Sequence, residues 1–562
     1  MDLTHNINRR NFLKTMAVGL TAASIPLWLT KCRPSPSRPD IVLIMADDLG
    51  FSDIGCYGGE IHTPNLDSLA QSGIRFTQFY NCARCCPTRA SLLTGLYPHQ
   101  TGVGLMMNDL GYRGYRGDLN KTCVTIAEAL KQSGYSTYMS GKWHLTKHTK
   151  DSSFEEKFNW PLQRGFDRFF GTITGAGNYF APATLTRDNE PIEAPVEGFY
   201  YTDAISDEAV QFIDAHHKRK PDKPFFLYVA YTAPHWPLHA LEEDIAKYEG
   251  IYMKGWDRLR KERHDRMVAM GLVDEAWPLS LRDPNAKAWE EVEKTDLPEK
   301  AALIPHIHKK LKAIMAHKMA VYAAMVDRMD QGIGRIIGAL KKTGRFKNTL
   351  IFFLSDNGAC AEYGALGMGW KDRLEGRVEG ARDTWASYGL PWANASNTPF
   401  RFYKHWVYEG GIATPLIVHW PEKIKARGEL CHQPGHVIDI LPTCLDAAGA
   451  SYPKSFDEHV ILPPEGQSLC PVFSGESLGD RILFWEHHGN RAIRMGKWKL
   501  VANGEKGAWE LYDLDADRTE LHNLSRKEFQ RVNDMSRMWR HWAQRCHVFP
   551  INPHLKKRKR ED

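Results

Sequence analysis

Four apolar runs of strand length, each followed at once by polar residues, organise the 562-residue chain. Asp40-Ile41-Val42-Leu43-Ile44-Met45-Ala46 leads into Asp47-Asp48, and Leu350-Ile351-Phe352-Phe353-Leu354 leads into Ser355-Asp356-Asn357-Gly358. Tyr135 to Met139 precedes Gly141-Lys142-Trp143-His144, and Phe225 to Tyr231 precedes Ala233-Pro234-His235-Trp236. Runs without polar alternation are buried on both faces, as strands are in parallel sheets covered by helices. Ligands of such sheets collect at the carboxyl ends of the strands, so the four polar motifs are expected along one edge.

Elsewhere the period changes. Met315, Met319, Tyr322, Val326, Met329, Ile333, Ile336 and Leu340 step by three and four, which predicts a helix packed on the sheet. Residues 241–310 are charged and carry Trp256, Trp277 and Trp289; they read as a largely helical insertion. From about residue 480, Arg481 to Trp485, Ala492 to Arg494, Trp498 to Val501 and Trp509 to Tyr512 predict a small antiparallel sheet, closed by a helix over 526–545. The expected organisation is a large α/β domain over 39–479, a smaller subdomain over 480–546 and a basic tail over 547–562.

Composition narrows the classes. With 43% apolar and 25% charged residues the chain is neither disordered nor collagen-like. The net charge of +6 is carried by the two ends, +3 in residues 1–32 and +3 in the last seven, so the body gives no warrant for nucleic-acid binding. The run Lys556 to Arg560 reads as a solvated end. Residues 15–30 are uncharged, follow Arg9, Arg10 and Lys14, and fall short of the ~20 residues a stable transmembrane span needs. Residues 1–32 therefore read as an export signal, which predicts a periplasmic, cell-surface or secreted protein. Arg9-Arg10-Asn11-Phe12-Leu13-Lys14 resembles a twin-arginine signal, with an ordinary secretory signal as the alternative. Eleven cysteines are too sparse for a disulfide scaffold and lack zinc-site spacing; Cys82, Cys85 and Cys86 form the one local cluster.

Asp47, Asp48, Asp356 and Asn357 are oxygen ligands at two strand ends, a set suited to a hard divalent cation, calcium rather than magnesium. Either pair alone reads equally well as a helix cap or a turn. A third element decides between the readings. Cys85-Cys86-Pro87-Thr88-Arg89-Ala90-Ser91-Leu92-Leu93-Thr94-Gly95 resembles the signature of the formylglycine-dependent sulfatases, C-x-P-x-R followed by a short helix. Cys86 departs from it, standing where the family usually has a small hydroxylated or aliphatic residue. The resemblance runs in family order from Asp40 to about Leu524. It takes in Gly165-Phe166-Asp167, Lys404, Tyr408-Glu409-Gly410-Gly411 and Trp509-Glu510-Leu511-Tyr512-Asp513-Leu514. Tyr252 to Asp257 and Glu486 to Arg491 are most similar to the bacterial arylsulfatase branch.

The resemblance implies an alkaline-phosphatase-like α/β sandwich with a large mixed, mostly parallel sheet flanked by helices. A smaller C-terminal antiparallel sheet with a helix completes it. It implies a sulfuric ester hydrolase in which a maturase converts Cys85 to formylglycine. One calcium ion would be held by Asp47, Asp48, Asp356, Asn357 and the modified Cys85. Lys142, Lys404, His235 and Arg89 would surround the sulfate. One hydroxyl of the aldehyde hydrate, deprotonated towards Asp356, would attack sulfur to give a sulfate hemiacetal. His235, with Lys404 nearby, would protonate the leaving oxygen, and His144 would take the proton of the second hydroxyl to expel sulfate. The substrate would be an aryl sulfate or, in nature, a sulfated carbohydrate. The alternatives are a phosphate or phosphonate monoester hydrolase on the same scaffold, or a noncatalytic sulfated-glycan binder if Cys85 stays unmodified. His99, Trp236, His239, His487 and Arg491 read equally as pocket wall or as packing.

Overall fold

The computed structural model describes residues 38–147, 155–425 and 427–551. The export signal and the charged end of the basic tail lie outside them. In chain order the strands are β1 (Asp40–Ala46), β2 (Ile74–Tyr80), β3 (Ser136–Gly141), β4 (Arg168–Thr172), β5 (Leu185–Arg187), β6 (Glu190–Pro191), β7 (Phe225–Ala230), β8 (Thr349–Ser355) and β9 (Ala413–His419). They continue with β10 (Glu429–Cys431), β11 (Gly435–His436), β12 (Ser455–Phe456), β13 (His459–Val460), β14 (Ile482–His487), β15 (Asn490–Met495), β16 (Trp498–Ala502) and β17 (Glu510–Asp513). The helices that matter here are α1 (Pro64–Ser72), α2 (Cys85–Thr94), α3 (Ile126–Gln132), α4 (Tyr201–Arg219), α5 (Trp256–Ala269), α6 (Ile307–Lys342), α7 (Ile440–Ala448) and α8 (Phe529–Arg545).

The large sheet runs β10-β2-β9-β8-β1-β7-β3-β4-β5-β6, with β11 also paired to β2. Its centre, β8-β1-β7-β3-β4, is all parallel, while β9 runs antiparallel to both β8 and β2. The four apolar runs are β1, β3, β7 and β8, side by side as their patterning predicts. Alternate residues of β1 serve opposite layers. Val42 and Ile44 join the core under α1, α4, α5 and α6, while Ile41, Leu43 and Met45 join the core under α2, α3 and α7. Every residue of the predicted stripe from Met315 to Leu340 is buried in the first layer, which explains why this 36-residue helix is apolar along one side.

Within 241–310 the chain is helical over 242–246, 251–254, 256–269, 289–294 and 299–302, and irregular between 270 and 288. Trp256 and Trp289 pack edge to face at 4.7 Å in the main core. Beyond residue 480, β14-β15-β16-β17 form the antiparallel sheet, and α8 lays Met535, Trp539 and Trp542 on Ile493, Leu500 and Leu511. Among the described residues all ten cysteines are free thiols, and no helix is long and apolar enough to cross a membrane.

Candidate active site

The carboxyl ends of the central strands deliver the polar motifs to one place. Backbone bonds fix the strand exits against one another: Asp47 N–H donates to the Ala233 carbonyl (3.1 Å), Asp356 N–H to Ala46 (3.1 Å) and Lys142 N–H to Ala230 (2.8 Å). Asp48 and His144 take left-handed backbone angles, φ 65° and 57°, a cost that structures tolerate mostly at functional sites.

Asp47, Asp48, Asp356 and Asn357 come together and are buried. Asn357 Nδ2 donates to Asp48 Oδ1 (2.7 Å), and the Asp48 N–H donates to Asp356 Oδ1 (3.2 Å). Arg89 donates to Asp356 Oδ2 through Nε (3.1 Å) and Nη2 (2.8 Å). Lys142 Nζ donates to Asp47 Oδ2, and Lys404 Nζ to both Asp48 oxygens (2.8 and 2.9 Å). His235 Nε2 stands 3.4 Å from Asp48 Oδ2 and 3.3 Å from Lys404 Nζ. Two oxygens of the set, Asp47 Oδ1 and Asn357 Oδ1, are buried without a hydrogen-bond partner. Orphaned hard oxygens amid carboxylates fit a hard cation such as calcium and suit zinc or copper poorly.

The charges explain one another. Burial opposes ionisation of Asp47, yet Lys142, His235 and Arg89 hold it at about 2. Burial and the neighbouring Asp47 charge push Asp356 well above the carboxylate range. Burial alone would strip the protons from Lys142 and Lys404, but Asp47 and Asp48 keep both ammonium groups above their ordinary range. Burial drives His144 down to about 4 and lowers His235 as well, so both imidazoles are neutral at pH 7.

Cys85 opens α2, with its thiol at the positive end of a ten-residue helix. A hydrogen bond from Cys86 and the Lys142 charge hold this thiol well below its ordinary range against the effect of burial. The two sulfurs are 4.0 Å apart and not bonded. His144 lies against the neighbouring thiol, with its Nε2 3.3 Å from Cys86 Sγ. Cys82 is turned away, towards Ser91 Oγ at 3.4 Å.

A rim surrounds this centre. Trp236 Nε1 donates to Glu362 Oε2 (2.9 Å), and its ring meets Tyr363 and Trp385 edge-on at 5.5 and 6.0 Å. Tyr363 and Trp385 are 57% and 43% exposed. On the other side Glu362 Oε1 pairs with Arg84 (3.1 Å) and His405 (3.0 Å). Glu362, Tyr363 and Trp385 lie on an irregular stretch with no periodicity, so only their position in space singles them out. Of the undecided residues, His99 is buried against Glu486 (2.8 Å) and His239 against the Thr384 carbonyl (2.7 Å), both as packing. Arg491 stacks on Trp509. Glu409 lies outside the centre, in a buried ion network with Lys499, Arg518 and Tyr80.

A mostly parallel sheet with this constellation at its carboxyl edge places the chain in the class of alkaline-phosphatase-like hydrolases. Comparison with known proteins narrows the class. Residues 39–450 match the sulfatase family, and residues 400–542 match the C-terminal region of N-sulphoglucosamine sulphohydrolase. An arylsulfatase of Klebsiella aerogenes is 35% identical over 77% of this chain and 92% of its own length. An uncharacterized sulfatase of Schizosaccharomyces pombe is 34% identical over 89% and 93%, so bacterial and fungal relatives lie equally near. The crystal structure of Ps i-CgsB in complex with k-i-k-neocarrahexaose superposes with a TM-score of 0.63 at 28% identity, over 90% of this chain and 93% of that one. The chain belongs to the sulfatase family and is an enzyme of that type.

Proposed function

We propose that the chain hydrolyses sulfate monoesters through a formylglycine made from Cys85 and one calcium ion, with a sulfated carbohydrate as natural substrate. The observation that carries this reading is the convergence of the Cys85 helix terminus on four oxygen-donor side chains, two of whose oxygens are buried and unpartnered. Asp47, Asp48, Asp356 and Asn357 would hold the calcium, which supplies charge neutralisation for the sulfate oxygens. A formylglycine hydrate would supply a hydroxyl nucleophile and a second hydroxyl whose deprotonation re-forms the aldehyde and expels sulfate by C–O cleavage, an exit that a thiol or alcohol lacks.

The chain's own residues then divide the remaining work. Arg89 orients Asp356 through two hydrogen bonds, which sets its carboxylate to take a proton from the nucleophile. Lys142 and Lys404 present fixed positive charge to the sulfate. Between Lys404 and its neighbour His235, the proton for the leaving oxygen rests on Lys404, because burial keeps the imidazole neutral. Neutral His144 is the base for the second hydroxyl. Trp236, Tyr363 and Trp385 offer flat apolar faces beside His235, which favours a ring-bearing leaving group; the oligosaccharide-bound relative supports a carbohydrate. Export through residues 1–32 would bring the enzyme to such polymers.

The test is mass spectrometry across Cys85, combined with parallel assays of a sulfate and a phosphate ester of one phenol. The protein is purified from a host that carries a formylglycine maturase. Conversion of Cys85 together with faster sulfate hydrolysis is expected. Faster phosphate hydrolysis would favour the phosphomonoesterase alternative, and unmodified Cys85 with no turnover the noncatalytic one.

A further inference from the structure

Three groups of side chains among the described residues have metal-ligating atoms close enough to share one ion, and two of these groups belong to the centre above. The third is His405, His487 and His488, whose ligand atoms all lie within 4.8 Å of one another. The backbone sets this cluster deliberately. His405 follows Lys404 and has φ 82°, while His488 (φ 51°) and Gly489 (φ 84°) make the tight turn between β14 and β15. Asn490 Nδ2 at the tip of that hairpin donates to the His405 carbonyl (3.0 Å). Behind the turn, Glu486 accepts the Gly489 N–H (2.7 Å) and meets His99 (2.8 Å), so the tip is held from both sides.

His487 is fully buried, and neither of its ring nitrogens has a hydrogen-bond partner. A buried polar group left unpaired costs about 1–3 kcal/mol, and folded proteins keep few of them without a reason. Burial and the nearby His488 and His405 keep this imidazole neutral, the state a metal ligand requires. His405 Nε2 is 3.0 Å from Glu362 Oε1, the carboxylate contact that commonly orients a ligating histidine. The charges facing the cluster are Arg84, whose Nη1 donates to His405 Nδ1 (2.7 Å) and also lies against Nε2, Lys404 beside it in the chain, and Glu362, which pairs with Arg84 at 3.1 Å and offsets it; an ion held by His405 would require the Arg84 side chain to swing aside.

We propose that His405, His487 and His488 form a binding site for a transition-metal ion of the zinc type, separate from the oxygen-donor centre. Three imidazole nitrogens suit zinc and disfavour calcium, and they leave a fourth position for water or an anion. Bonds of about 2.1 Å to a tetrahedral ion require nitrogens roughly 3.4 Å apart, which rotation of the partly exposed His488 side chain can supply. An ion there would join the C-terminal sheet to the loop that carries Lys404. This inference is independent of the sulfate chemistry.

The experiment is calorimetric titration of the full-length, calcium-saturated protein with zinc chloride, with folding checked by circular dichroism. One zinc ion per chain is expected. His488→Ala, at the partly exposed turn, and His487→Ala should each weaken binding at least tenfold, and Glu362→Gln by about 10–100-fold, while His541→Ala on α8 changes nothing. Absence of zinc uptake with calcium bound, or uptake that His488→Ala and His487→Ala both retain, overturns the proposal. A rise in KM for sulfate esters in His488→Ala with zinc binding unchanged does so too, and would make the cluster a wall of the substrate pocket.

Discussion

At the scale of single residues, the centre is defined by which atoms lack partners as much as by which have them. Asn357 spends its amide nitrogen on Asp48 and leaves its oxygen buried and free, alongside Asp47 Oδ1. If these oxygens bind calcium, the ion stabilises the folded chain by mass action, about 2.7 kcal/mol at a hundred times its Kd. Added calcium is therefore expected to raise the melting temperature of the wild-type protein, and Asn357→Ala to abolish most of that rise; a scanning-fluorimetry titration reads both. Asp47, Asp48, Asp356, Asn357, Cys85 and Arg89 were legible in the sequence because each sits in a short motif at a strand end. Glu362 was not, and His487 reads only as pocket wall or packing: the contacts that single them out join segments more than forty positions apart, and no local pattern encodes such a meeting.

At the scale of elements, one glycine changes the meaning of a motif. Asp356-Asn357-Gly358 reads as a turn, yet Gly358 needs no left-handed backbone. A Cβ there would lie 2.0 Å from the Gly410 carbonyl oxygen, so the glycine serves close approach of the β8 exit to the turn before β9. Gly358→Ala should displace Asp356 and Asn357 and cost at least tenfold in kcat/KM while far-ultraviolet dichroism stays native. The β strands themselves were predictable because burial on both faces leaves uninterrupted apolar runs. The antiparallel seat of β9 between β8 and β2 was not, since its residues read like those of its parallel neighbours. The C-terminal sheet brings Lys499 between Glu409 (2.9 Å) and Glu520 (2.8 Å). Burial and the Glu409 charge push Glu520 up to about 7 from 4.5, against Lys499. Its contribution to stability is therefore full below about 4.5 and is lost as pH rises through about 7. Wild-type melting temperature should fall between pH 5 and 8 more steeply than that of Glu520→Gln.

At the scale of the molecule, buried charge ties distant segments to the site. Arg263 of α5 donates to Asp53 (2.6 Å) and to both oxygens of Glu60 (2.8 Å each). Asp53 in turn accepts the Gly50 N–H and the Tyr322 hydroxyl, bracing the turn that carries Asp47 and Asp48. Arg263→Met removes the cation shared by the buried Asp53 and the partly buried Glu60 and should destabilise the protein by about 3–5 kcal/mol, measured by denaturant unfolding. The order of strands has a further effect, on timing. β1, near the start of the described chain, lies at the middle of the sheet, and Asp48 finds its partner Asp356 only 308 positions later. At the ~5–20 residues per second of protein synthesis, the ribosome takes roughly 15–60 s to cover that distance. Cys85, sealed at 2% exposure once the sheet closes, precedes Asp356 by 271 positions and so stays open on the nascent chain for roughly 14–54 s of that interval. If a maturase converts Cys85 as proposed, it would compete with folding to reach the sulfur, and a slower ribosome would favour it.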